Sequence, residues 1–141
     1  MLRALARARL ERNQMSANSN RPLSPHLQVY RLPLLAILSI LHRMTGAALS
    51  IGGLMIAWWL VAAALGEEQY NIAMNFIRSP LGIFMMFGWS VAFYYHLFNG
   101  VRHLIWDTAR GFKLKQAYTS GYVVLLLTAL ATAATWYEVY N

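Results

Sequence analysis

The 141-residue chain contains no cysteine. It can form no disulfide, offer no thiolate to an iron–sulfur cluster and build no cysteine metal site, so any cofactor it holds must be met by another donor, of which histidine is the obvious candidate. Charge is scarce as well: Asp, Glu, Lys and Arg make up 12% of the residues, about half the share of an ordinary soluble domain. Only five residues are acidic, Glu11, Glu67, Glu68, Asp107 and Glu138. None lies inside a long apolar run, and there is no inverted repeat, which argues against a transporter or proton-conducting subunit with a carboxylate relay. The basic residues, which bring the formal charge to +7, stand at the ends of apolar runs and are not interleaved with exposed aromatics. A nucleic-acid surface is therefore excluded.

What the chain has in abundance is apolar length. Apolar side chains account for 58% of it, and three runs reach the roughly 18 residues needed to cross the hydrocarbon core as a helix. The run from Leu32 to Leu65 is too long for one simple span. Met44 to Leu65 matches a hydrocarbon thickness of about 30 Å at about 1.5 Å per residue, which predicts Leu32 to Leu41 as an interfacial lead-in helix. Glu67 and Glu68 close this span, Asn71 to Pro80 reads as a short loop, and Ser79-Pro80 predicts the next helix start. The second span is predicted from about Leu81 to Ile105, with Gly82, Gly88 and Gly100 for close helix contact, and the third from Tyr118 or Gly121 to Trp136. Trp58, Trp59, Trp106, Trp136 and Tyr137 fall near span ends, as interfacial aromatics do.

Ahead of these spans, residues 1–20 hold Arg3, Arg7, Arg9 and Arg12 against Glu11 and end in Asn18-Ser19-Asn20. That composition packs no core and reads as a flexible basic tail, a transit-like segment or a stretch upstream of a start at Met15. Pro22 and Pro25 remove backbone donors, so no regular helix is expected before Pro25. The organisation is thus a tail over 1–20 and an all-α, three-helix membrane domain over 21–141. Seven arginines precede Met44, four basic residues lie from Arg102 to Lys115, and Arg78 alone falls at the other end. The bias predicts an N-terminus in the cytoplasm, or in the matrix of an organelle.

An ionisable side chain deep in a span costs about 2.5–3.5 kcal/mol when charged, so His96 requires a reason. It is a neutral interhelical donor, a proton relay or a ligand to haem iron. His103 follows seven residues later on nearly the same helix face, and Gly100 removes a side chain one turn from His96, making room for a flat ligand. Arg102 and His103 stand near the span exit, where they suit anionic groups. On the first helix Ser39, His42 and Arg43 stand at i, i+3 and i+4, so hydroxyl, imidazole and guanidinium share one side. An isolated arginine there would snorkel to headgroups. The accompanying Ser39 and His42 favour an interior-facing site instead.

Two motifs carry a family resemblance. Arg21-Pro22-Leu23 with Ser39-Ile40-Leu41-His42-Arg43-Met44-Thr45-Gly46 resembles the first signature of the succinate dehydrogenase cytochrome b subunit, one of two membrane anchors of succinate:quinone oxidoreductase. His96-Leu97-Phe98-Asn99-Gly100-Val101-Arg102-His103-Leu104-Ile105-Trp106-Asp107 is similar to the second, a histidine followed after three residues by Gly-x-Arg-His-x-x-aromatic-Asp.

The resemblance implies that His96 is one axial ligand of a b-type haem, with the other supplied by a sister anchor subunit. It implies that Ser39 and Arg43 line a ubiquinone site beside an iron–sulfur subunit. His42, Arg43, Arg102 and His103 are implied near the haem propionates. A flavoprotein subunit would oxidise succinate, and this chain would bind and position without dehydrogenating. Arg43 would then stabilise negative charge developing on a quinone oxygen, and Ser39 would hydrogen-bond a quinone carbonyl. The expected location is a bacterial inner membrane or, alternatively, a mitochondrial one. The plainest rival is an anchor or assembly helper without haem, in which His96 bridges helices.

Overall fold

The structure is a computed structural model that describes residues 2–19 and 31–141. The Arg21-Pro22-Leu23 element of the first motif lies outside the described residues. Among the described residues five helices follow in order: α1 (Leu2–Ser19), α2 (Leu34–Leu65), α3 (Glu67–Ile77), α4 (Pro80–Asp107) and α5 (Leu114–Tyr140). Among the described residues there is no strand.

Residues 1–20, read from composition as a basic tail, carry α1. Ala, Leu and Arg are strong helix formers, and they dominate its first three turns. Arg3 and the side chains of Leu5 to Asn13 are all exposed. The other described helices, α2 to α5, form a separate compact unit, Leu32–Asn141.

Within that unit α2, α4 and α5 are long and apolar enough to cross a membrane. The predicted lead-in is present in α2 as its first turns, and it runs into the span without a break. The 32 residues of α2 extend about 48 Å, well beyond the roughly 30 Å of hydrocarbon, so some three turns are left for the interface. Pro33 occupies the N-cap, where its missing N–H costs nothing. At the far end Gly66 takes φ 118°, ψ −178°, a conformation that only glycine adopts freely, and it ends α2 while opening α3.

The predicted loop at Asn71–Pro80 is mostly helix. Tyr70, Ala73, Met74 and Ile77 recur at helical spacing and turn inward, with Ala73 buried, while Glu67 and Glu68 suit the positive end of the α3 dipole. Ser79 caps α4 as predicted, accepting from the Gly82 N–H at 3.1 Å while donating to the Phe76 carbonyl at 2.6 Å, with Pro80 in the first turn. Gly82 lies so close to the Phe76 and Ile77 backbone that a side chain there would collide with it.

The three spans meet at Leu38, which is 0% exposed. Tyr95 of α4 donates its hydroxyl to the Leu38 carbonyl at 2.6 Å. From α5, Val124 joins the same cluster, and a Cβ on Gly121 would stand 2.6 Å from Leu38 Cδ1. Ala117, Gly121, Val124, Thr128 and Thr132 form the buried stripe of α5, small residues that let neighbouring helices approach. Nearer its C-terminus, Thr135 pairs with Tyr94 at 2.7 Å and the Trp136 indole donates to Ser90 at 2.9 Å. Each such bond satisfies a group that hydrocarbon would leave bare.

Candidate functional site

The fold brings His42, His96 and His103 together beside the α2–α4 crossing. His42 and His96 stack with ring centroids 4.0 Å apart and planes within 10°, and His103 tilts onto His42 at 5.0 Å. The crossing is close because glycines face the rings. A Cβ on Gly46 would be 3.1 Å from His96 Cε1, and one on Gly100 would be 3.9 Å from His42 Cε1. The space predicted at Gly100 is therefore bordered by His42.

His96 is held by its Nδ1, which lies 3.1 Å from the His42 carbonyl and 3.2 Å from Thr45 Oγ1. A carbonyl only accepts, so this contact puts the proton on Nδ1 and the lone pair on Nε2. The Thr45 hydroxyl has its own acceptors, the Leu41 and His42 carbonyls at 2.8 and 3.0 Å, and so remains free to receive from the imidazole. Among the described residues Nε2 of His96 has no hydrogen-bond partner. His42 contributes a second open position, a buried Nδ1 with no partner among the described residues.

Arg102 behaves differently from its motif neighbours. It is 5% exposed and turns toward α5, donating from Nε to Ser120 Oγ at 2.9 Å, from Nη2 to the Ala117 carbonyl at 3.0 Å and from Nη1 to Asn99 Oδ1 at 3.2 Å. Its Cζ stands 4.0 Å over the Trp106 ring. Two of its five donors are thus spent on packing α4 against α5 and a third on Asn99 of its own helix, which leaves two for any other partner. Asn99, 0% exposed, links this cation to the imidazoles. Its oxygen is claimed by Arg102, so its Nδ2 faces His103 Nε2 at 3.4 Å and favours the His103 tautomer with Nδ1–H.

Ser39 is half-buried and Arg43 exposed on the α2 turns around His42. Neither has a side-chain hydrogen bond or ion pair among the described residues, in contrast to Arg102. Among the described residues no carboxylate hydrogen-bonds any of the three rings. Thr45 lies inside the first motif three residues after His42, whereas Tyr95 and Ser120 lie in no motif. Nothing in the sequence shows that Thr45 meets a ring 51 residues away. Asn99 stands inside the second motif, where spacing alone gives it no role.

No cluster of three or more His, Asp or Glu side chains able to hold a metal ion exists among the described residues. The site offers instead one imidazole with a preset lone pair, rings packed closely against two glycines, and nearby positive charge.

Comparison with known proteins follows the same lines. The model of the family described as the succinate dehydrogenase/fumarate reductase transmembrane subunit matches residues 17–135. The chain is 48% identical over 106 residues to the succinate dehydrogenase cytochrome b556 subunit of Paracoccus denitrificans, covering 75% of this chain and 82% of that one. It is 37% identical over 118 residues to the cytochrome b556 subunit of Rickettsia felis, covering 84% and 92%. To the mitochondrial cytochrome b560 subunit of Sus scrofa it is 40% identical over 119 residues, covering 81% and 69%. With its three apolar spans and both histidine motifs inside the matched region, the chain belongs to the succinate dehydrogenase/fumarate reductase transmembrane subunit family.

Proposed function

We propose that this chain is a haem-binding membrane anchor of a succinate:quinone oxidoreductase, in which His96 Nε2 is one axial ligand of a b-type haem and a sister anchor subunit supplies the other. The observation that carries this is the hydrogen bond from His96 Nδ1–H to the His42 carbonyl. A ligating histidine characteristically donates its other ring nitrogen to a backbone carbonyl or carboxylate, which fixes the tautomer and makes the ligating nitrogen more basic. A donor set of one imidazole fits a metal already held in a macrocycle and shared with a second polypeptide, and does not fit a metal caged by this chain. When bound, the haem supplies a one-electron store within the membrane.

The chain's own residues bind and orient. Thr45 and the His42 carbonyl hold the His96 ring against α2. His42, Arg43 and His103 are proposed near the propionates, His103 through the Nδ1–H that Asn99 favours, and Arg102 through the two donors it retains. Ser39 and Arg43 are proposed to line the ubiquinone site. There the Ser39 hydroxyl would bond one carbonyl and the Arg43 guanidinium would oppose negative charge developing on a quinone oxygen, an effect strengthened where water is sparse. Their lack of partners among the described residues leaves both free for this. An iron–sulfur subunit and a flavoprotein subunit would deliver electrons from succinate, with no dehydrogenation in this chain. We place it in a bacterial inner membrane or the mitochondrial equivalent, with the basic ends of the spans in the cytoplasm or matrix.

The stacking of His96 on His42 also suits a second reading, in which the ring only pins α2 to α4. Reduced-minus-oxidised spectra of the purified assembly separate the two. With a haem ligand, His96→Ala loses the b-type band; with a simple pin, the band is absent from the wild type or survives the substitution. Quinone reductase turnover and quinone affinity unchanged in Arg43→Ala would remove Arg43 from the quinone site.

A further inference from the structure

The α4–α5 pair carries a groove that the imidazole site does not use. It has a volume of about 540 Å³, within the range of sites that take small molecules, roughly 300–1,000 Å³. Its α4 wall includes Val101 and Ile105. At about 100° per residue these lie roughly 140° and 180° around the helix from His96. That part of the wall faces away from the three rings, and the groove approaches them only where it is also lined by Arg102 and by Trp106, whose ring stands edge-on to His103 at 5.2 Å.

Its chemistry is graded along its length. At one end stand Lys115, Gln116 and Thr119 of the first turns of α5, with Trp106 beside them; at the other the wall is Phe98, Val123 and Leu127. Lys115 to Leu127 spans about 18 Å of helix, close to the roughly 15 Å that one leaflet contributes to a hydrocarbon core of about 30 Å. The polar end therefore sits at the headgroup level when the apolar end reaches the bilayer centre.

Charge at that mouth is of one sign. Arg110, Lys113 and Lys115 are all exposed and face only Asp107, also exposed, among nearby acids. Lys113 is the N-cap residue of α5 and Lys115 lies in its first turn, where no acidic residue occurs. Cations at the positive end of a helix dipole repel it, so the arrangement concentrates positive potential where an anion would relieve it. A transmembrane helix from another subunit would bring no phosphate to this level. Its apolar surface would match the lower wall and leave the lysines unanswered.

We propose that this groove is a binding site for an anionic glycerophospholipid of the leaflet facing the basic loop. The phosphate would sit at Lys115, with Gln116 and Thr119 offering hydrogen bonds, and one acyl chain would lie along Val123 and Leu127. Trp106, whose ring also packs on Phe112 at 6.1 Å between centroids, would frame the headgroup end as interfacial tryptophans do.

The test uses the detergent-purified membrane assembly containing this chain. The assembly is delipidated and then mixed with phosphatidylglycerol or phosphatidylcholine vesicles, and the lipid retained per copy is counted by native mass spectrometry. About one phosphatidylglycerol per chain is expected to survive washing, with phosphatidylcholine retained at least tenfold less. Lys115→Glu, a change on an exposed side chain, should lower phosphatidylglycerol retention about tenfold or more. Val123→Trp, which fills the apolar wall from a position 47% exposed, should abolish it, whereas Arg78→Glu at the opposite end should change nothing. Equal retention of the two lipids, or retention indifferent to Lys115→Glu, overturns the proposal. Because the chain has no cysteine, Thr119→Cys places one thiol of known position in it. Cross-linking of that thiol to another polypeptide, with no quenching by brominated lipid of a fluorophore attached there, would show that a protein helix fills the groove and would equally overturn it.

Discussion

Substituting Gly46 by alanine tests the wedge that holds His96 without touching the imidazole. The new methyl carbon would stand 3.1 Å from His96 Cε1 and 3.6 Å from Nδ1. Carbon atoms rest about 3.5–4.0 Å apart, so the ring must retreat from α2 by roughly half an ångström. The same ring is tied to α2 through Nδ1, 3.1 Å from the His42 carbonyl and 3.2 Å from Thr45 Oγ1. Moving it off α2 stretches both contacts to about 3.6 Å, beyond the range of a useful N–H···O bond. The loss is about 1–2 kcal/mol, one or two net hydrogen bonds. Alanine also improves helix propensity over glycine by about 0.8–1 kcal/mol, which would mask part of this. Gly53→Ala supplies the correction, because a Cβ there meets nothing within 4 Å. On the proposed ligation of haem by His96, Gly46→Ala should bind haem about 5- to 30-fold more weakly than that variant and shift the reduction potential, since the proposed ligating nitrogen would lose the bond that raises its basicity. The assay is a haem titration of the apo-assembly followed by reduced-minus-oxidised spectra and a redox titration. Identical affinity, band position and potential in the two variants would refute the claim that the His42 carbonyl and Thr45 position His96.

Three further substitutions probe the scaffold. Tyr95→Phe deletes the donor to the Leu38 carbonyl and should destabilise the assembly by about 1 kcal/mol, read as a lower thermal midpoint in detergent with the haem spectrum retained. Gly121→Val forces a branched side chain into the Leu38 Cδ1 contact and should cost about 1–3 kcal/mol by overpacking, whereas Gly88→Val, where a Cβ meets nothing within 4 Å, should be tolerated in the same unfolding measurement. Arg102→Lys keeps the charge but cannot hold Ser120, Asn99 and the Ala117 carbonyl together. It should cost about 1.5–3 kcal/mol in detergent unfolding, and a midpoint equal to wild type would show that the three bonds contribute nothing net.

Much of the site was legible before any coordinates. His96 stands out because an ionisable group deep in an apolar run needs a reason, and His103 follows from a spacing that returns to the same helix face. Ser39, His42 and Arg43 were found by the same periodicity. Arg102 shows the limit of that method. Adjacent in sequence to His103 and of the right charge for an anionic group, it turns about 100° around the helix and spends three donors on α5 and Asn99. The short helix α3 was missed for a different reason. Its polar content suggested a loop, although Tyr70, Ala73, Met74 and Ile77 already carried a helical period.

Composition, run length and the placement of basic residues suffice to establish three membrane-spanning helices, because hydrocarbon allows a spanning backbone few alternatives. Local spacing likewise settles which side chains share a face, since that depends only on helical repeat. Which helix a face meets is another matter. That Gly46 lies against His96, that the His42 carbonyl receives its proton and that Leu38 sits between Tyr95 and Gly121 are all contacts between residues 50 or more positions apart. They depend on how three helices cross, and the crossing is set by the shapes of many side chains acting together, with no short stretch of sequence containing the answer.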